Sequence, residues 1–408
     1  MVAPKLRFNE FDESWSSIPL KNFVSFRKGK GISKADIKED GIFECIRYGE
    51  LYTTYGQVIT TIKSRTNISP SESILSQSGD VIIPASGETQ IDIATAACVA
   101  KENVILGGDL NILSHHENGE WLAYYLSSAK KLEIAQLAQG NSVVHLYSSQ
   151  LKELKINKPS KTEQTKIATF LSAVDEKIAQ LSQKRHLLEQ YKQGMMQKIF
   201  SQQIRFKAGD GSEFGEWEYY KLGELTTLIT KGTTPTSLGG KFENSGINFI
   251  KIESLSSDGK FLLDKFAYID EVTHNKLARS QLENEDILFS IAGALGRVAI
   301  ISNDYLPANT NQALAIIRLR NKNIIRYIYY FLNSDYVKKI IETESVQLAQ
   351  ANFSLGQLSD LDIVLPCIEE QTKIANFLSA IDQKFDVVSE QLKQAKTWKK
   401  GLLQQMFV

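Results

Sequence analysis

Residues Glu163 to Phe200 read EQTKIATFLSAVDEKIAQLSQKRHLLEQYKQGMMQKIF, and Glu370 to Phe407 read EQTKIANFLSAIDQKFDVVSEQLKQAKTWKKGLLQQMF. The second block follows the first at an offset of 207 residues, without a gap, and 17 of 38 positions are identical. A period of about 200 residues is far longer than a solenoid unit, so the 408-residue chain reads as two tandem halves that end alike. Fainter echoes support this division. Phe11 to Trp15 (FDESW), Leu20 and RKGKGIS are matched by Phe214 to Trp217 (FGEW), Leu222 and ITKGTTP. GDVIIPASG (Gly79 to Gly87) corresponds to EDILFSIAG (Glu285 to Gly293), QLAQ occurs at 136–139 and 347–350, and Pro159 and Pro366 precede the terminal blocks. Strong similarity in one part and drift in the other suggest a shared framework that carries two different specificities.

The repeated block has the pattern of a coiled coil. With Leu171, Ile178 and Ile199 at position a, Val174, Leu181, Leu188 and Met195 fall at d, and only Arg185 and Lys192 interrupt the seam. The copy places Leu378, Phe385, Leu392 and Met406 at a, with Ile381, Val388, Ala395 and Leu402 at d. Each helix is expected to be about 55 Å long, and an apolar stripe of that length needs a partner. The other copy is the natural one. An antiparallel pair would place the globular parts at opposite ends with pseudo-twofold symmetry, making the helices a ruler. Gly194 and Gly401 occupy matching positions late in the helices, where each costs about 1 kcal/mol relative to alanine; they read either as fraying helix ends or as close packing against another chain, and their duplication favours packing. KPSKTEQ and LPCIEEQ join a proline to an early acid, which suits a helix start.

Composition narrows the class. A content of 42% hydrophobic and 23% charged residues is that of globular domains, and 47 basic residues balance 47 acidic ones. Such balance argues against a small basic coat protein and leaves local phosphate contact open. No apolar run approaches the roughly eighteen residues of a membrane span, and MVAPKLRFNEF has no signal-like core, so a cytoplasmic protein without a membrane partner is expected. Cys45, Cys98 and Cys367 have no metal or disulfide spacing and read as structural.

Signatures of chemistry are missing. There is no paired-proline methylase motif, and Gly29-Lys30-Gly31 is followed by Lys34 where a dinucleotide fingerprint needs glycine. No GxxxxGK[ST] loop occurs, and Glu153-Leu154-Lys155 lacks the upstream Pro-Asp of a nuclease. His115 and His116 read as a solvated turn rather than a metal site, leaving catalytic and metal residues at none.

Residues 1–158 and 205–365 mix short β-rich runs (VIIPA, NVILG, DILFSIAG, ALAIIRL) with helical stretches (WLAYYLSSAKKLEIAQLA, IIRYIYYFLNSDYVKKII), giving an α+β domain twice. The spacer helices are then assigned to 159–204 and 366–408. Both domains carry loops rich in the side chains that reach base edges and phosphates. The candidates for DNA contact are Arg27, Lys28, Lys30, Lys34, Arg47, Lys63 and Arg65 in the first domain, and Lys231, Lys241, Lys251, Arg279 and Arg297 in the second.

The paired EQTKIA-FLSA blocks, each closing a half whose opening segment lies at Leu20 to Lys34 or Leu222 to Thr236, resemble the specificity (S) subunit of a Type I restriction-modification system, the HsdS family. The resemblance spans the chain. It implies two target-recognition domains, each reading one half of a split, asymmetric site in double-stranded DNA, and antiparallel helices that hold the halves apart and dock two methyltransferase (M) subunits. Restriction/translocase (R) subunits would join that core, with S-adenosylmethionine, ATP and Mg on the partners and no cofactor on this chain. The residues by themselves also allow a coiled-coil scaffold without sequence-specific DNA binding. A fused restriction enzyme would require the missing motifs.

Overall fold

The computed structural model describes residues 3–140, 143–347 and 352–407, so part of the second QLAQ echo, 348–350, lies outside the described residues. The chain divides into two compact units, Met1–Gln183 with Ser389–Val408, and Lys184–Val388.

In the first unit the central sheet runs Ser25–Lys28, Leu110–Ser114, Asp80–Pro84, Ala97–Val99, Val58–Ile59, antiparallel except for the last pair. Because successive strand residues face opposite sides, this sheet serves two cores. Val81, Ile83 and Leu113 join a core shared with helices, whereas Ile82, Leu110 and Ile112 join a second. That explains why the VIIP run is apolar throughout instead of alternating. Beside it lie a three-stranded sheet, Ser64–Thr66, Phe43–Ile46, Ile105–Leu106, and a ribbon pairing Ser16–Pro19 with Lys155–Lys158. Helix α1, Gly119–Ser128, starts where the Asn118 side chain accepts the Trp121 N–H at 2.9 Å, and buries Trp121, Leu122, Tyr124 and Tyr125.

The second unit repeats this plan. Its central sheet runs Thr226–Lys231, Leu314–Leu319, Ile287–Ser290, Val298–Ile300, and its smaller one Ala267–Ile269, Ile247–Ile250, Ala308–Thr310. Ile287, Phe289, Ala315 and Ile317 face one core, and Leu288, Leu314 and Ile316 the other. Glu218–Lys221 pairs with Asp362–Leu365 as the matching ribbon.

Helix α2, Lys161–Phe200, is 40 residues long. Helix α3, Ile325–Leu332, is the counterpart of α1, and α4, Ile368–Met406, spans 39 residues. Each unit contains the start of one long helix and the end of the other. In the first, Leu402 and Met406 from the end of α4, with Phe407 just after it, share a core with Ile167, Leu171 and Val174 from the start of α2. In the second, Met196 and Ile199 from the end of α2 share a core with Ile374, Leu378 and Ile381 from the start of α4. The helices are therefore antiparallel. The seam differs from a strict heptad near its end: Met196 is buried, whereas Met195 and Leu188 are only partly so. Leu181, Val388, Leu392 and Leu402 are buried, and Ile178 and Phe385 half-buried. A methyl group added at Gly194 or Gly401 would meet nothing within 4 Å, so packing inside this chain does not require either glycine.

The chain's own start closes on the end of α4. Leu6 N–H donates to the Gln405 carbonyl at 2.9 Å, and in the second unit Ile204 N–H donates to the Lys198 carbonyl at 3.1 Å. Lys198 and Gln405 are 207 positions apart.

Candidate nucleic-acid interface

Each unit brings basic loops together over a glycine that admits no side chain. After the strand Ser25–Lys28 the chain turns at Gly29, where a Cβ would lie 1.9 Å from the Gly107 carbonyl oxygen. Lys30 N–H donates to Leu106 at 3.1 Å, Gly108 N–H to Gly31 at 2.6 Å, and Gly107 N–H to Ile46 at 2.9 Å. These backbone bonds stack the loops that carry Lys28, Lys30 and Lys34 against the one that carries Arg47. In the second unit a Cβ at Gly232 would lie 1.9 Å from the Thr310 oxygen, and Thr233 N–H donates to that oxygen at 3.1 Å. Lys231 is the exposed base at this junction.

The twelve basic candidates divide by what holds them. Lys28, Lys30, Lys34, Lys63 and Lys231 are exposed, and their ammonium groups have no acidic partner among the described residues. Arg279 is exposed and donates to Thr233 Oγ1 at 3.1 Å, adding a third segment to the Gly232 loop. Arg65 is exposed and reaches the carbonyls of Gly41 and Ile42 at 3.3 and 3.4 Å. Lys241 and Lys251 pair with Glu243 and Glu253 at 3.2 and 3.0 Å, and Lys251 also lies over the Phe242 ring. Arg47 stands 3.7 Å from Glu50, and its buried Nε has no hydrogen-bond partner among the described residues.

Two of the twelve are turned inward. Arg27 bonds Ser114 Oγ and the Leu75 carbonyl, each at 3.1 Å, and also the buried Asp80. Arg297 donates to the carbonyls of Ile252 and Leu255. In the second unit the buried acid Asp286, equivalent to Asp80, is held by Arg318, a residue the sequence did not single out. Among the described residues there is no His/Cys/Asp/Glu group able to hold a metal. His115 departs from the expected solvated turn: both ring nitrogens are buried, and burial lowers its pKa. His116 is exposed, as is Cys367, so packing does not account for that cysteine.

Below the loops, both units tie their opening segment to the start of a long helix through the same clamp. Glu163 is 1% exposed and accepts from Arg7 Nε and Nη2 at 2.7 and 2.8 Å and from Trp15 Nε1 at 3.2 Å. Glu370, fully buried, accepts from Arg205 at 3.2 and 2.7 Å and from Trp217 at 3.1 Å. The second carboxylate charge is thus neutralised as the first is, and neither could be buried alone. The paired tryptophans were visible as a sequence echo. The arginines were also legible, as Arg-Phe at 7–8 and again at 205–206, but were not singled out.

Each clamp lies next to an aromatic trio. Phe170 stacks edge-on with Phe8 and Trp398 at 5.8 and 6.0 Å, and Phe377 with Phe206 and Tyr191 at 5.6 and 6.5 Å. Trp398 and Tyr191 are about half exposed, at 53% and 51%.

The family model for the Type I restriction modification DNA specificity domain matches this chain twice, over residues 12–190 and 215–397. The chain belongs to this family. Relatives of specificity-subunit type include the Type I restriction enzyme MjaVIII specificity subunit of Methanocaldococcus jannaschii, 23% identical over 96% of this chain and 91% of that one. A putative type I specificity subunit of Mycoplasma genitalium is 22% identical over 100% and 97%. Among solved structures, a Type I S subunit from M. genitalium superposes with a TM-score of 0.65 at 18% identity, covering 100% of this chain and 99% of the other. A structure described as showing complex assembly and conformational transition of the type I R-M system gives 0.58 at 19% identity, covering 97% and 98%. These likenesses establish the two-domain α+β fold with its long helices. As a Type I specificity chain, the protein is a recognition subunit and not itself an enzyme. No helix among the described residues is long and apolar enough to cross a membrane.

Proposed function

We propose that each globular part reads one half of a split, asymmetric site in double-stranded DNA, with α2 and α4 holding the two readers at a fixed separation. The observation that carries this reading is the contrast between a framework duplicated to the level of single hydrogen bonds and loops that share little beyond a glycine. Unlike readers on like supports suit unlike half-sites. Lys28, Lys30, Lys34 and Lys63 supply free positive charge in the first half, and Lys231 with Arg279 in the second. Lysines of this kind hold phosphates and fix orientation, and polar loop side chains read base edges. Arg27 and Arg297 are support, because their guanidinium donors are engaged within the chain.

The matching trios around Phe170 and Phe377 favour docking of two copies of one partner, the methyltransferase subunit, with restriction/translocase subunits joining that core. S-adenosylmethionine, ATP and Mg then belong to the partners, and the assembly works on DNA in the cytoplasm. The test is to express the chain with the methyltransferase encoded beside it and map methylated bases across genomic DNA. A split motif with one fixed gap is expected. An assembled complex that leaves no motif would favour the coiled-coil scaffold instead.

A further inference from the structure

Each unit holds one copy of a three-sided polar junction where a domain helix meets both long helices. In the first, Tyr124 of α1 donates to Asp175 Oδ2 of α2 at 2.7 Å, and Lys399 Nζ of α4 lies 2.5 Å from the other carboxylate oxygen. In the second, Tyr330 of α3 donates to Asp382 Oδ2 of α4 at 2.8 Å, and Lys192 Nζ of α2 lies 2.6 Å from Oδ1. Each ammonium also sits 5.4 Å above the tyrosine ring of its own junction. Asp175 and Asp382 are 207 positions apart, as are Lys192 and Lys399. The roles therefore exchange: α2 gives the acid at one junction and the base at the other. Burial raises both phenol pKa values well above the ordinary tyrosine range, so both hydroxyls remain donors.

The apolar seam alone specifies register weakly. Sliding one helix by a heptad, about 10 Å, brings a similar set of apolar side chains together again. The polar junctions allow no such slide. Residues 175 and 399, like 192 and 382, add to 574, so both ion pairs obey one antiparallel numbering. A displaced register would part each lysine from its aspartate, leaving an ammonium and a carboxylate unpaired in a partly dry environment. Since each junction includes a tyrosine of the domain helix, it also fixes where that domain sits on the helices.

We propose that the two Tyr–Asp–Lys junctions, Tyr124–Asp175–Lys399 and Tyr330–Asp382–Lys192, set the gap between the half-sites by fixing helix register and domain seat together. This rests on the split-site reading above. The six side chains are positioning residues and touch no DNA in this scheme. One base-pair step is about 3.4 Å, less than one helical turn of about 5.4 Å, so even a small loosening is measurable in base pairs.

The experiment uses the complex with its methyltransferase and DNA duplexes that carry both half-sites at the native gap and at one base pair more or less. Wild type first reports whether a split site exists at all, which tests the functional reading separately. The double variant Asp175→Asn with Asp382→Asn is then expected to reduce the preference for the native gap by about tenfold, the size of one lost base-pair discrimination. A preference equal to wild type, with overall methylation unchanged or uniformly lower, would overturn the proposal. If that variant does not assemble, Tyr124→Phe with Tyr330→Phe removes only the hydroxyls and is judged by the same ratio. The exchanged pair Asp175→Lys with Lys399→Asp should recover more gap preference than either single change.

Discussion

At the start of each long helix the two units are chemically alike, and in their loops they are not. Glu163 and Glu370 each collect an arginine and a tryptophan at matching distances, and Gln164 and Gln371 each donate to a proline carbonyl, at 3.0 and 2.7 Å. The likeness ends one atom away. Gln164 Oε1 accepts from Asn118 N–H, whereas Gln371 Oε1 is buried with no partner among the described residues. Further up, RKGKGIS and ITKGTTP keep the glycine that lets two loops stack and little else. The difference separates two kinds of constraint. Buried polar groups allow few solutions because each needs its partner, while an exposed loop on a rigid support can change freely.

The largest effect should come from breaking what the units share. Leu181→Pro or Val388→Pro removes a helical hydrogen bond and kinks the helix at a cost of about 3 kcal/mol or more. Assembly with the methyltransferase should be lost on size-exclusion chromatography, while limited proteolysis still yields folded globular parts; normal assembly would refute the ruler. Next in size are Glu163→Ala and Glu370→Ala. Each leaves a partly buried arginine unpaired and should cost about 3–5 kcal/mol in chemical denaturation. The two losses should be of equal size if the clamps are equivalent. A large inequality would break the comparison at its base.

Changes in the loops should be smaller and one-sided. Replacing Lys28, Lys30 and Lys34 with alanine should lower the salt dependence of DNA binding by about 0.9 in log–log slope per lysine lost, and Lys231→Ala by about the same single amount. In both cases the base preference of the untouched half-site should stay as it is, and a change there would mean that the readers are not independent. The smallest effect is expected at Gly194→Ala and Gly401→Ala. Each should stabilise its helix by up to about 1 kcal/mol, because nothing among the described residues blocks the methyl group. Weaker binding of the methyltransferase by these variants would locate the partner on that face, and unchanged binding would remove the glycines from the docking surface.

The duplicated block made the long helices and their partner legible because a heptad seam survives extensive substitution at other positions. Met195 packs at the edge of the shared core and Met196 is the more deeply buried of the two, for a physical reason. A straight helix drifts about 20° per heptad from an exact seven-residue repeat, and after more than three heptads from Leu171 the buried position has passed to Met196. The sheets were legible only as isolated apolar runs, since strand order depends on pairings far apart in sequence. Among the basic candidates, nothing in the sequence separated Arg27 from Lys28. They are neighbours on one strand and face opposite sides, so one reaches Asp80 and the other solvent. The Tyr–Asp–Lys junctions were hidden for a similar reason. Lys192 counted as an interruption of the seam, yet it is the partner of Asp382.

The bond between Leu6 and Gln405 has a wider meaning when set beside its twin between Ile204 and Lys198. At one of these joints the polypeptide runs straight through; at the other an equivalent arrangement is achieved by non-covalent contact alone. Non-covalent contact alone is therefore enough to hold this corner of the architecture, and the fastening lies in the packed side chains and not in the run of the backbone.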